Sequence, residues 1–330
     1  MRVIEVITDE GHVATLRSIA EQHDILDIWV GHSDEDGRCS TRMLVRPAKQ
    51  QAVLDALQSL ISATVNTRVV ILPVEATLPR VEEKTPEEAK QSSITRSREE
   101  LYEQIVAGAK LNNNFIYMVI MSTIVAAIGL LEDNVAVVIG AMVIAPLLGP
   151  NMALAFATTL GEGKLLWSAI KSNITGLAIA LGLSVLIGFI WPLNFNSQEL
   201  MARTDVGFDG IVLALVSGAA AVLSLTSGLS SSLVGVMVAV ALLPPTATLG
   251  LMLGAGNYHY ALGAGLLLAV NIVCVNLASN IVFLLKGIKP RTWYEKQKAK
   301  QSMIIFVMFW LFVLIVLVVL VKVRQEFLTG

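Results

Sequence analysis

The sequence predicts an α-helical polytopic membrane protein. It has about seven transmembrane helices in a 3+3 inverted repeat, preceded by an N-terminal α+β ferredoxin-like (βαββαβ) soluble domain. Three observations predict it. Composition is apolar: 55% hydrophobic and 15% charged residues with mean hydropathy +0.68, against about 25% charged in ordinary soluble domains. Charge is unevenly placed, with 13 Lys+Arg and 18 Asp+Glu in residues 1–110 but only 11 and 8 in residues 111–330. Two proline-bearing segments of the apolar part also resemble each other. These features divide the chain into 1–75, a soluble domain; 76–110, a charged helical connector; 111–290, the membrane core; and 291–330, a basic loop and a final span.

In the first domain, residues 2–8 (RVIEVIT) form a β-branched run closed by Asp9-Glu10-Gly11. Val13, Leu16, Ile19 and Ala20 recur at helical spacing. Strands follow at Ile25–His32 and Arg38–Arg46, joined by the hairpin turn Asp34-Glu35-Asp36-Gly37. Pro47 suits the first turn of a second helix with the apolar face Val53, Leu54, Leu57, Leu60 and Ile61, and Arg68–Val74 is the last strand. The order is that of a split βαβ sandwich. In the connector, Thr85-Pro86-Glu87-Glu88 and Ser97-Arg98-Glu99-Glu100 both fit a capping box.

A crossing needs roughly 20 apolar residues. Leu111–Leu131, Asn134–Gly161 and Ser172–Gln198 are uncharged runs of 21, 28 and 27. Gly210–Leu285 runs 76 residues without a charge and divides at glycine and polar breaks into about 211–227, 231–254 and 260–285. Met303–Val321 is the seventh span. With the N-terminus inside, the cytoplasmic segments collect Lys110, Lys164, Lys171, Lys286, Lys289, Arg291, Lys296, Lys298 and Lys300. The opposite side has only Arg203, Lys322 and Arg324, so the positive-inside rule favours a cytoplasmic N-terminus. The opening residues read as a strand, not a signal peptide, and a prokaryotic plasma (inner) membrane is the expected location.

Segments Ile139–Pro150 (IGAMVIAPLLGP) and Val234–Pro245 (VGVMVAVALLPP) match at six of twelve positions without a gap. Each is the middle member of a three-span set. Three is odd, so the second set crosses with opposite orientation, as in secondary transporters that bind at the midplane where helices break. Proline removes an amide donor and disrupts the bond to the carbonyl four residues earlier, and freed backbone groups persist in a bilayer only within protein or facing a watery cavity. The expectation is therefore that spans two and five are both broken. The candidate substrate or ion-binding residues are Gly140, Pro146, Pro150, Asn151, Asn173, Gly235, Pro244, Pro245, Thr246, Asn271 and Asn276. Thr248 and Asn280 are adjacent polar positions, Asn280 sharing a helix face with Asn276. A kink that only shapes packing is the competing account of the prolines. Hydrogen-bond glue between helices competes for Ser227, Ser230, Ser231 and Ser232, and Gly and Ala at 218–221 imply close helix packing. Glu132 and Asp133 are candidate coupling or entry acids, against a solvated turn.

No nucleophile set, metal-ligand spacing or phosphate loop occurs in the sequence, so catalytic residues, metal and cofactors are expected to be none, and an enzyme is not expected. Two cysteines, Cys39 and Cys274, give no disulfide framework, and a net charge of −2 with no basic tract excludes nucleic acid as a partner. The partners expected are membrane lipid, a small solute or ion, and further copies of the chain as a homo-oligomer.

Val138–Pro150 (VIGAMVIAPLLGP), preceded by Gly129-Leu130-Leu131-Glu132-Asp133-Asn134, resembles the domain of unknown function 389 family of hydrophobic prokaryotic membrane proteins. Leu233–Pro245 (LVGVMVAVALLPP) is similar to that family's later segment. The resemblance covers roughly residues 1–290. It implies the membrane architecture and no particular substrate. Two readings follow from the residues: a transporter or channel-like permease with a cytoplasmic regulatory domain, or a nontransporting sensor or scaffold whose soluble domain binds a ligand or partner. Lipid handling is a third.

Overall fold

The computed structural model describes residues 1–63, 67–79, 97–191, 197–227, 231–288 and 293–329. It falls into two units, Met1–Glu100 and Leu101–Gly330.

The first unit is a four-stranded antiparallel sheet with two helices. β1 (Arg2–Asp9) leads through a short 3-10 turn to α1 (Val13–Gln22); β2 (Asp27–Ser33), β3 (Arg38–Val45), α2 (Pro47–Ala63) and β4 (Arg68–Pro73) follow. The sheet order is β2-β3-β1-β4, every neighbouring pair antiparallel. This is the split βαβ order that the sequence predicts. Gly37 takes the left-handed backbone (φ 73) that closes the β2–β3 hairpin. The core consists of Ile4, Val6, Leu16, Ala20, Met43, Val45, Val53, Leu54 and Leu57; Ile19 and Leu60 of the predicted helix faces pack against it, Val13 does not join it, and the Ile61 side chain lies outside the described residues. Cys39 is buried in β3 and unpaired.

Of the two expected capping boxes, Thr85–Glu88 lies outside the described residues. The other is formed: Ser97 Oγ accepts the Glu100 amide (3.2 Å) and Glu100 Oε2 accepts the Ser97 amide (2.8 Å), opening α3 (Arg98–Ala109).

The second unit is helical. Its elements are α4 (Asn113–Leu131), α5 (Val135–Ile144), α6 (Leu148–Leu160), α7 (Gly163–Ile190), the single-turn α8 (Gln198–Met201), α9 (Phe208–Ser227), α10 (Ser231–Gly254), α11 (Tyr258–Leu285) and α12 (Trp293–Thr329). Among the described residues five helices are long and apolar enough to cross a membrane: α4, α7, α9, α11 and Ile304–Glu326 of α12. The pair α5 and α6 passes the same test together, bent by 54°.

The bend has a local cause. A residue before proline is pushed out of the helical region, and Ala145, before Pro146, is extended (φ −65, ψ 122). Pro150 then sits in the first turn of α6, where no amide donor is needed. Span two is thus broken, as expected. Span five is not: α10 runs unbroken from Ser231 to Gly254 with Pro244 and Pro245 inside it. In the segment match, the residue opposite Pro146 is Ala241, while Pro244 and Pro245 stand opposite Gly149 and Pro150. The proline that breaks the first copy has no counterpart in the second.

Helices α7 and α10 pack at backbone distance. A methyl group on Gly188 would overlap the Leu251 backbone, and one on Gly254 the Val185 carbonyl. Gly218 of α9 has the Val275 carbonyl of α11 2.6 Å from where its Cβ would be. Close packing at 218–221 is therefore observed, and its currency is van der Waals contact between backbones.

Candidate functional site

A continuous line of side-chain amides and hydroxyls runs through the helical unit. Asn151 on α6 donates through Nδ2 to Asn173 Oδ1 on α7 (3.0 Å) and to its own Leu147 carbonyl (3.2 Å). Asn276 on α11 donates to Asn151 Oδ1 (3.3 Å), and Asn280 donates to the Asn276 carbonyl (2.9 Å). Asn280 Oδ1 in turn accepts from Thr158 (2.6 Å) and Thr159 (3.3 Å), back on α6. Asn151, Asn276 and Asn280 are all at least 97% buried. Buried polar groups that are left unpaired cost about 1–3 kcal/mol each, so this line is worth more as a set than as scattered pairs. One acceptor is left over: Asn276 Oδ1 is buried with no hydrogen-bond partner among the described residues, as is Thr248 Oγ1.

The second proline pair is compensated differently. Pro245 has no amide to give to Ala241, four residues earlier. Asn271 of α11 fills that vacancy, its Nδ2 donating to the Ala241 carbonyl at 2.8 Å. Asn271 and Pro245 both line a cavity of about 400 Å³ that also touches Ser217, Arg203, Asp205 and Asp209. A second cavity, of about 310 Å³, lies at the span-two bend, against Pro146, Gly149, Met118, Met152 and Gln104. It is mostly apolar.

The structure brings together Asn151, Asn173 and Asn276, places Pro245 and Asn271 at one cavity, and places Pro146 at the other. Pro150 and Pro244 are buried beside them. Thr246 is buried but turned back on its own helix, donating to the Leu242 carbonyl (2.7 Å). Gly140 lines neither cavity, and a methyl group there would meet nothing within 4 Å. Gly235 falls in 231–240, whose side chains are outside the described residues, as do Ser231 and Ser232; Ser230 lies outside them altogether. Ser227 is exposed and bonds only the Ser224 carbonyl (3.1 Å).

Glu132 and Asp133 sit at the end of α4. Asp133 has a left-handed backbone (φ 56), and its Oδ1 accepts the Glu199 amide at the start of α8 (2.8 Å). Ser197 beside it donates to the Leu130 carbonyl (2.6 Å). Asp133 therefore pins the 197–201 turn against the end of α4. Lys171 and His259 are exposed. Sequence reasoning missed Thr158 and Thr159, which lie about two turns beyond Asn151, and the charged group Arg203, Asp205 and Asp209, which reads as loop in a linear sequence.

Outside the spans, Tyr102 on α3 donates to Glu162 Oε1 (2.7 Å). That hydrogen bond, with burial, pushes the Tyr102 phenol up to about 12. Among the described residues no group of three or more His, Cys, Asp or Glu is placed to hold a metal ion.

The family model for a domain of unknown function, DUF389, matches residues 142–277, which span the bend, the amide line except Asn280, and the wall of the larger cavity. An uncharacterized protein of Methanocaldococcus jannaschii, MJ0678, is 36% identical over 282 residues, covering 85% of this chain and 87% of that protein. The chain belongs to the DUF389 family. With its apolar helices, this DUF389 chain is a multi-pass membrane protein. No solved structure matches it.

Proposed function

We propose that this DUF389 protein is a permease for a small solute or ion, with seven spans, a 3+3 inverted repeat and the polar line of α6, α7 and α11 at its centre. The observation that carries the reading is the register of buried positions. The buried residues of α9 are Ala214, Gly218, Ala221, Val222, Leu225 and Thr226. Each lies 95 positions after a buried residue of α4: Val119, Thr123, Ala126, Ala127, Leu130 and Leu131 (119 to 214, and so on). The same offset takes six of the seven buried residues of α7 onto buried residues of α11. Both of those helices have 28 residues, and they start 95 apart, at 163 and 258. Left-handed glycines precede them at the same spacing, Gly161 (φ 71) and Gly256 (φ 75).

Three of the twelve residues that line the smaller cavity share the offset with the larger one. Arg203, Leu213 and Ala241 of one stand 95 after Gly108, Met118 and Pro146 of the other. A three-span unit that repeats once must reverse its direction through the bilayer, so equivalent cavities open toward opposite faces. Pairings between segments support one consistent sidedness. Asp133 meets Glu199, and Arg324 near the end of α12 donates to the Thr204 carbonyl (3.3 Å), both on one face; Tyr102 meets Glu162 on the other. With the positive-inside rule, the Tyr102 face and the N-terminal unit are cytoplasmic, in a plasma membrane.

The reading is tested by osmotic re-swelling of proteoliposomes containing the full chain. Stopped-flow light scattering would follow a panel of small neutral solutes and alkali chlorides. Faster re-swelling than in empty vesicles is expected for at least one. Identical traces throughout, with folded protein present, would instead favour a membrane-anchored sensor or scaffold.

A further inference from the structure

We propose that the cavity of about 400 Å³ between α9, α10, α11 and the 202–210 segment is a binding site for a monovalent cation, reached through an acidic mouth. The inference deepens the permease reading and rests on it for the sense of transport, although binding itself is independent of flux.

The mouth is net negative. Of its charged side chains, Arg203 is already committed to Glu199 one turn before it, guanidinium to carboxylate at 2.6 Å. Asp205 is partly offset by Arg324 at 4.0 Å. Asp209, exposed in the first turn of α9, has no ion-pair partner among the described residues. Arg203, Asp205 and Asp209 together give the lining a charge of −1.

The inner end is different in kind: uncharged, with a few oxygen acceptors set among apolar side chains. Asn271 is 7% exposed, and its Nδ2 is held by the Ala241 carbonyl. That bond turns the amide so that Oδ1, which accepts no hydrogen bond among the described residues, is the atom left for a ligand. Ser217 and Ala241 share the wall with the apolar Leu213, Ala214, Pro245 and Leu267; the Ala241 carbonyl, which Pro245 deprives of its helical donor, accepts from Asn271 and keeps its second lone pair. From Asp209 to Ser217 is eight residues, roughly 12 Å of helix at 1.5 Å each; from Tyr258 to Asn271 is 13, about 20 Å into a helix about 42 Å long. The acceptors thus lie deep while the carboxylates stay at the rim. Divalent calcium is usually held by carboxylates in direct coordination, and none lines the inner end. A singly charged ion that exchanges part of its hydration for hydroxyl, amide and carbonyl oxygens fits this set, as in carbonyl-built cation filters. An anion does not, since the sole cationic group lining the cavity is neutralised.

The test is thermal unfolding of the full chain in detergent micelles, in NaCl or KCl against choline chloride at constant ionic strength. A ligand that binds the folded state raises the Tm saturably. A rise of several °C is expected in at least one alkali cation. Asp209→Asn should raise the half-saturating concentration about threefold, the effect of one charge roughly 12 Å away at an intermediate dielectric. Ser217→Ala, a small change at a half-buried position, should remove most of the rise, and Asn271→Ala the whole of it. Equal Tm in all three salts overturns the inference, as does a rise that Ser217→Ala leaves unchanged. Either result stands apart from the permease reading, which the re-swelling of vesicles decides.

Discussion

Asn271 and Thr246 look alike in the sequence, each a polar residue within an apolar span, yet the structure gives them different work. Asn271 supplies the donor that Pro245 denies Ala241. Thr246 satisfies only itself, through the Leu242 carbonyl of its own helix. Asn271→Ala should therefore destabilise by about 1–3 kcal/mol, the usual cost of stranding a buried polar group, whereas Thr246→Val should change stability by less than about 1 kcal/mol. Comparative thermal unfolding in nanodiscs checks this, and equal losses would contradict it. In the soluble unit, Glu5 accepts hydrogen bonds from Ser40 and from Arg42 (2.9 Å), which hold its carboxyl below the ordinary range. The ionised form is thus favoured by folding. Its contribution is present above the ordinary carboxylate value, roughly 4.3, and is lost as pH falls through the lower folded value. The Tm gap between the wild-type chain and Glu5→Gln should accordingly close on acidification below about pH 4; a gap constant from pH 7 to 3 would refute it. Asn151, Asn173 and Asn276 stood out in the sequence as candidates because amides are rare in apolar spans, and the fold hydrogen-bonds them together. Ser217, Asp205 and Asp209 did not, because only the fold brings the 202–210 segment over the end of a cavity formed by helices distant in sequence.

Individual helices and strands followed the sequence closely where periodicity or capping decides them. The strands of the first unit match to within two residues at each end, with Gly37 and Pro47 at the predicted turn and helix start. The proline spans required more than counting prolines. Two similar segments gave one bent pair and one continuous helix because Pro146 follows a helix that it terminates, while its counterpart is Ala241 and the later prolines can be accommodated by an outside donor. Two substitutions test that account. Pro146→Ala should lessen the 54° bend between α5 and α6 and shrink the cavity beside it, read as a changed distance between spin labels at either end of the pair. Gly254→Leu should prevent α7 and α10 from approaching, since even a methyl group there overlaps the Val185 carbonyl. Loss of the folded peak in size-exclusion chromatography is its expected signature; an intact peak with unchanged Tm would contradict the packing argument.

Across the whole molecule, the apolar composition made the membrane class legible, and the match of Ile139–Pro150 with Val234–Pro245 gave the first hint of duplication. Six identities in so apolar a sequence say little about orientation or extent. The folded chain adds a quantity the letters hide, which positions are buried, and it is burial that recurs at 95 residues through α4 and α9, then α7 and α11. Under the proposed repeat, side chains differ between the two segments while the positions of burial are shared. The two cavities differ in charge: Arg203, Asp205 and Asp209 line one, while no charged side chain lines the other. An inverted repeat with unlike halves can admit a charged solute from one face more readily than from the other.

The central claim is that these cavities face opposite sides of the membrane. It is tested most directly by single cysteines at Ser217 and Ile144, in a chain carrying Cys39→Ser and Cys274→Ala, labelled in intact cells with a membrane-impermeant thiol reagent and again in inverted vesicles. Ser217→Cys should react only in cells and Ile144→Cys only in inverted vesicles. Labelling of both from the same side would contradict the inverted repeat, and with it the permease built on it.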